Sequence, residues 1–195
     1  SQRVDGIIAA ATSQRGETLS RADTQHTPVV FVDRTFEGME GPYVGVDNFQ
    51  GAWMGATHLI KCGHQKIGIL AGFQRLSTMR ERLNGFCHAL SENQISLPEE
   101  WIVQSELSIE GGQAAALWLL SLKDHPTALF ASNNLLSLGA LKAIQKLGLR
   151  CPDDISILGF DDHPWAEVAC PPLTVVRQPA RAVGQKSAEI LLQLI

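Results

Sequence analysis

Apolar runs of strand length alternate with helix-period stretches along the whole chain. Strands are predicted at 4–10, 29–32, 66–70, 101–104, 128–131, 155–159 and 173–176. Several of these are almost continuously apolar rather than alternating, the pattern of parallel strands covered on both faces. Helices are predicted at 49–61, 80–93, 110–122, 135–147 and 180–195, where apolar positions recur every three to four residues. Punctuation supports the boundaries. Asp47 or Asn48 suits the start of the helix that Gly63 ends, and Asn133 suits the start of the one that Gly148 ends. Strand and helix in alternation mean an α/β fold with parallel strands and right-handed crossovers. Two stretches break the rhythm: 35–45, rich in Gly and Pro, and 166–177, which runs through Cys170-Pro171-Pro172 into a short strand.

Composition narrows the class without naming a function. Of 195 residues, 45% are hydrophobic and spread along the length, enough for a packed core. No run reaches the roughly 18 apolar residues of a membrane span, and no cleavable leader is visible. The net charge is -4 and the pI about 5.8, with no basic stripe, so this segment is not expected to touch nucleic acid. Cys62, Cys87, Cys151 and Cys170 stand far apart, the usage of reduced thiols in a cytoplasmic protein. His58, Cys62 and His64 are the one metal-like grouping, but a closed site needs a fourth ligand that the neighbouring sequence lacks. No metal and no cofactor are expected. Catalysis is not expected either: there is no nucleophile elbow and no phosphate-binding Gly-rich loop, and Asp161 and Asp162 are adjacent on an extended turn and point apart.

Candidate binding chemistry lies just past the strands, because in an open parallel sheet the ligand crevice forms at the carboxyl ends. Those positions hold Asp33 and Arg34, then Phe73 with Arg80 and Arg82 beyond it. Ser132 to Asn134, Asp161 with Asp162, and Arg177 with Gln178 complete the set. Carboxylates, amides and a guanidinium fork suit a small polyhydroxylated ligand. Asx residues after strands are also ordinary turn and cap formers, which is the competing account. Arg80 and Arg82 lie about 200° apart on a helix, so only one can face such a site.

These residues fall into ordered motifs: Pro28-Val-Val-Phe-Val-Asp33-Arg34, Val46-Asp-Asn48, Arg80-Glu-Arg82-Leu-Asn-Gly85-Phe86, Pro126-Thr-Ala-Leu-Phe-Ala131, Pro152-Asp-Asp-Ile-Ser-Ile-Leu-Gly-Phe-Asp-Asp162 and Pro171-Pro-Leu-Thr-Val-Val-Arg-Gln-Pro179. Over its whole length the chain resembles the effector-binding core of lactose-repressor-type (LacI-family) transcriptional regulators, which share a fold with type I periplasmic sugar-binding proteins. The resemblance implies a two-lobed parallel-sheet domain truncated at both ends. Residues 1–46 with 179–195 would form a partial N-terminal lobe, and 47–178 the C-terminal lobe with its crossover segments. It implies a homodimer, a sugar or sugar-derivative effector, and operator DNA read by an N-terminal helix-turn-helix outside this segment. It marks Arg82 as the arginine that grips effector, Asp161 as the first acid of the Phe-Asp-Asp motif, and Asn133, Asp33 and Gln178 as further contacts. Candidates for an apolar sugar platform are Phe73 and a residue from the part of the family's core N-terminal to this segment. Leu107 stands where several members carry a stacking aromatic, and Asn134 where the usual residue is Asp. Arg80 is then expected to pair with an acidic neighbour at the surface, and Trp165 to serve packing. A periplasmic sugar receptor of a transport system is the alternative with the same fold.

Overall fold

The computed structural model describes residues 4–10 and 27–195. They form two units: Ser1–Asp47 with Arg75–Thr78 and Pro179–Ile195, and Asn48–Gln74 with Met79–Gln178.

The first unit holds a three-stranded parallel sheet in the order β1 (Ile7–Ala10), β2 (Val29–Val32), β3 (Tyr43–Val44). Ile7 pairs with Val29 and Val32 with Val44. The connection between β1 and β2 lies outside the described residues. β3 was not expected. It interrupts the Gly/Pro-rich stretch, and a two-residue strand is too short to show a period. The last helix of the chain, Ala180–Leu194, packs on all three strands.

The second unit is a five-stranded parallel sheet in the order β5-β4-β6-β7-β8, with β4 at Ile67–Gly72, β5 at Ile102–Ser105, β6 at Ala128–Ala131, β7 at Ser156–Phe160 and β8 at Thr174–Val176. The α-helices of the described residues are α1 (Asn48–Lys61), α2 (Ser77–Glu92), α3 (Ile109–Ser121), α4 (Asn134–Lys146), the five-residue α5 (Pro164–Val168) and α6 (Ala180–Leu194). α5 was also missed, being too short for a helical period. The first turn of α2 begins three residues earlier than periodicity indicated.

Continuous apolar strands are explained by cover on both faces. Ile67, Ile69 and Phe130 pack with Ala52, Ala56 and Leu59 of α1 and with Phe86, Ala89 and Leu90 of α2. Leu70, Leu129, Ala131 and Ile157 face Ala115, Ala116 and Leu119 of α3 and Leu136, Ala140 and Ala143 of α4. Every residue of β4 and β6 is buried as a result.

The helix ends follow the expected punctuation. Gly63, at φ 94°, closes α1 with its N–H on the Ile60 carbonyl and the His64 N–H on that of Leu59. Gly148, at φ 68°, does the same for α4. Ser108 caps α3, its hydroxyl accepting from the Gly111 N–H at 3.0 Å. Among the described residues no helix is long and apolar enough to cross a membrane.

α3 and α4 meet backbone to backbone. A Cβ on Gly112 would stand 2.7 Å from the Leu136 Cα, and one on Gly139 would stand 2.3 Å from the Ile109 carbonyl oxygen. Backbone atoms cannot swing aside, so the helices themselves must separate. Gly139→Ala is therefore expected to destabilise by about 1–3 kcal/mol, read from the urea midpoint. Gly184 in α6 has nothing within 4 Å of such a Cβ. Gly184→Ala should stabilise by up to about 1 kcal/mol through helix propensity alone.

Candidate functional site

The site of the second unit is built at the carboxyl ends of β6, β7 and β8, around Arg82. This arginine lies on the inward face of α2 and is 2% exposed. Its guanidinium carbon stands 3.7 Å from the centre of the Phe160 ring, the last residue of β7. The Nε donates to the Asn48 Oδ1 at 2.8 Å, and Nη1 donates to the Ser132 carbonyl at 2.7 Å. Nη1 also lies 3.5 Å from the Asp161 Oδ2, a long contact whose attraction is mainly Coulombic. A charge this deep would be costly unpaired, and the stack on Phe160 with this fork of acceptors offsets its desolvation.

Asp161 is the least covered member of this group, with 28% of its side chain exposed. Its Oδ1 accepts a short hydrogen bond from the Gln178 Nε2, just past β8. Its backbone N–H donates to the Val176 carbonyl at 3.0 Å, and its φ is 76°. Asp and Asn tolerate this left-handed conformation better than most residues. The turn leaves the sheet at once, and the carboxylate is fixed from two sides.

The other expected contacts divide. The Oδ1 of Asn133 accepts from the Leu136 N–H at 2.9 Å as the cap of α4, which leaves only its NH2 for another partner. Leu107 is half-buried, packed on the α3/α4 side of the core and against Gly72. Phe73 directly follows β4 and is half-buried. Trp165 is half-buried beside the His163 ring, 6.1 Å between centres. Among the described residues Arg80 has no acidic partner; its exposed side chain donates to the Gln74 carbonyl at 3.4 Å.

Asp33 belongs to the first unit and repeats the geometry of Asp161, standing directly after β2 with a φ of 73°. Its carboxylate holds the Arg34 Nε at 3.0 Å, and its carbonyl accepts from the Tyr43 hydroxyl at 3.1 Å.

Sequence reasoning missed three parts of the site. Asn48 reads as a helix cap, yet its side chain bridges the Arg82 Nε and the Glu81 Oε2, the latter at 3.2 Å. Phe160 reads as the end of a buried strand, and the Ser132 carbonyl carries no sequence signal at all. The strand-end rule pointed to Ser132 and Phe160 as positions, but not to their service to Arg82. Among the described residues no three His, Cys, Asp or Glu side chains are gathered as a metal site.

Comparison with known proteins agrees with this fold. The family described as periplasmic binding protein-like domain matches residues 56–195. The HTH-type transcriptional repressor PurR of Aliivibrio salmonicida is 35% identical over all of this chain, which spans 59% of that relative's length. A regulatory protein of the LacI family from Chloroflexus aggregans superposes with a TM-score of 0.89 at 30% identity, over 98% of this chain and 69% of that one. The transcriptional regulator CelR, solved as a complex with cellobiose, superposes with a TM-score of 0.86 at 31% identity, over 98% of this chain and 59% of its own. The relatives are transcriptional regulators, and with its parallel α/β sheets this chain belongs to the periplasmic binding protein-like family, as a core of the LacI-family type.

Proposed function

We propose that this chain is the effector-binding and dimerisation core of a cytoplasmic LacI-family repressor, and that its effector is an uncharged sugar. The observation that carries the proposal is the carboxylate of Asp161, partly open at the strand ends while Gln178 and Arg82 hold its two oxygens. A fixed carboxylate is an acceptor for one or two sugar hydroxyls, and the Asn133 amide adds donors nearby on α4.

Charge balance favours a neutral ligand. Arg82 stands opposite Asp161, Arg34 opposite Asp33 at 3.0 Å, and Arg177 opposite Asp162 at 3.2 Å. A phosphate would have to compete with these carboxylates for the forks of Arg82, Arg34 and Arg177, whereas Arg80, with no acidic partner among the described residues, stands exposed. The relative solved with cellobiose is a precedent for a neutral sugar. Phe73 is proposed as the apolar platform. Asp33 occupies the corresponding strand-end position of the first unit, and its substitution is a separate test.

Residues 1–46 with 179–195 are proposed as one lobe and 47–178 as the other. Differential affinity of effector for two lobe arrangements would supply the switch, because a ligand shifts an equilibrium only by that difference. Operator DNA would be read by a helix-turn-helix outside this segment, in a homodimer whose half-site spacing matches its symmetry. The regulator reading is preferred over a transport receptor because the matched relatives are repressors and regulators. No catalytic role is proposed for Asp161 or Asp162.

Calorimetric titration with a panel of aldopentoses, aldohexoses and cellobiose, with inorganic phosphate as the anionic control, should show binding of a neutral sugar only. Binding of phosphate alone would overturn the neutral-ligand reading. Asp161→Asn keeps the left-handed backbone and removes the charge. It should weaken sugar binding by about 10- to 100-fold, the scale of a charge-assisted hydrogen bond, while the melting temperature moves little. Arg82→Lys keeps the charge but loses the planar fork and the stack on Phe160. It should lower both affinity and stability, the latter by about 1.5–3 kcal/mol in urea unfolding. A gel shift with the 195-residue segment alone should show no sequence-specific DNA complex, as its charge of -4 indicates.

A further inference from the structure

The first turn of α1 is tied to Arg82 and its surroundings at two points. Asn48, its first residue, is 1% exposed, and the Oδ1 accepts from the Arg82 Nε at 2.8 Å. Gly51 abuts the ring on which Arg82 stacks: a Cβ there would stand 2.9 Å from the Phe160 Cζ. One helix therefore touches both the guanidinium and its platform. Contact with α2 fixes its height. A Cβ on Gly85, about one turn after Arg82, would stand 2.1 Å from the Phe49 carbonyl oxygen, and the Phe49 ring centre lies 5.4 Å from that of His88.

The chemistry required at position 48 is narrow. The Asn48 Nδ2 donates to the Glu81 Oε2 at 3.2 Å, while the Oδ1 faces Arg82. The side chain stands between a carboxylate and a guanidinium that are neighbours in sequence, so it needs a donor toward one and an acceptor toward the other. An amide supplies both. A carboxylate would set an acceptor against Glu81, and a methyl group would take this acceptor away from a buried charge.

A guanidinium is planar, so holding the Nε and stacking the plane on Phe160 fixes where Nη1 points. That direction is toward the Ser132 carbonyl and the Asp161 carboxylate. We infer that Asn48 is a positioning residue of the effector site: it aims Arg82, and through Arg82 it aligns Asp161. At 1% exposure it offers an effector no surface of its own. The inference rests on the reading of Asp161 as the effector's acceptor, and one arm of its test needs no sugar.

That arm follows exchange of the Arg82 Nε proton with solvent by 1H–15N NMR on the full chain, the signal being identified by its loss in Arg82→Lys. In the unaltered chain it should exchange about 100-fold more slowly than in free arginine, as a buried bonded proton does. Asn48→Ala should speed exchange by roughly ten-fold or more. Asn48→Asp combined with Glu81→Gln keeps the net charge and reverses the second hydrogen bond, so the Arg82 Nε keeps an acceptor. Its exchange should return to within about three-fold of the unaltered rate. The second arm is calorimetric titration with D-ribose, D-glucose and cellobiose. Any of these that binds should lose roughly ten- to 100-fold in affinity in Asn48→Ala, the scale of one charge-assisted hydrogen bond, and recover most of it in the double variant. Recovery separates positioning from a general loss of packing at α1. Exchange as fast as free arginine in the unaltered chain, unchanged exchange in Asn48→Ala, or a double variant as impaired as Asn48→Ala would overturn the proposal. The rate in the unaltered chain decides this even if no variant folds. If none of the three sugars binds the unaltered chain, the sugar reading falls, and the exchange arm still decides the role of Asn48.

Discussion

The burial of one guanidinium organises the second unit. Arg82 comes from α2, yet its partners are the first residue of α1, the backbone after β6, and the last residue of β7 with the aspartate that follows it. Four segments far apart in sequence therefore meet at a single planar group. A lysine could not replace it, because an ammonium offers no flat face to Phe160 and no divergent fork to reach Asn48 and Ser132 together. Removing a short-range partner, Asn48 or the Phe160 ring, would strand the charge in a site that is 2% exposed, whereas the contact to Asp161 is long at 3.5 Å.

That hub depends on the core beneath it. β4 and β6 are buried throughout because helices cover both faces, so the sheet carries the strand ends as a rigid edge. On the α3/α4 side, Gly112 and Gly139 bring two helix backbones into direct contact. On the α1 side Gly55 serves similarly: a Cβ there would stand 2.7 Å from the Phe130 ring. Close layers fix where β6 and β7 end, and with them the Ser132 carbonyl and the Phe160 ring.

What the sequence made legible follows from the same physics. Doubly covered strands write long apolar runs, so the core strands and α/β class were readable, and Gly63, Asn133 and Gly148 marked helix ends by conformational need. Arg82 is buried and Arg80 exposed, as the roughly 200° separation on one helix requires. β3 and α5 stayed hidden because a period needs more residues than they contain. Asn48 stayed hidden for a different reason. Its hydrogen bonds reach residues 33 and 34 positions away, and a side chain that suits a helix start gives no sign of a distant partner. Leu107, the position taken from the resemblance, is half-buried and packs against the α3/α4 side of the core.

Asp33 and Asp161 reveal how carboxylates can be set at a strand end. Each follows the last residue of a parallel strand with a φ near +75°, where an L-residue pays a modest backbone cost, of the order of 1 kcal/mol. Glycine would remove the strain and also the acceptor. Asparagine would keep the conformation but lose the charge, and with it the pairing to arginine. Aspartate at both positions thus points to the carboxylate, rather than to the turn, as the property the local sequence preserves. The two differ in what offsets their strain. Asp33 pairs with its own chain neighbour Arg34, a local contact that any turn could make. Asp161 is held by Gln178 and by Arg82, groups 17 and 79 residues away. Its geometry exists only when the whole of the second unit is folded. A carboxylate positioned in that way responds to any change in the packing of α1, α2 and β7.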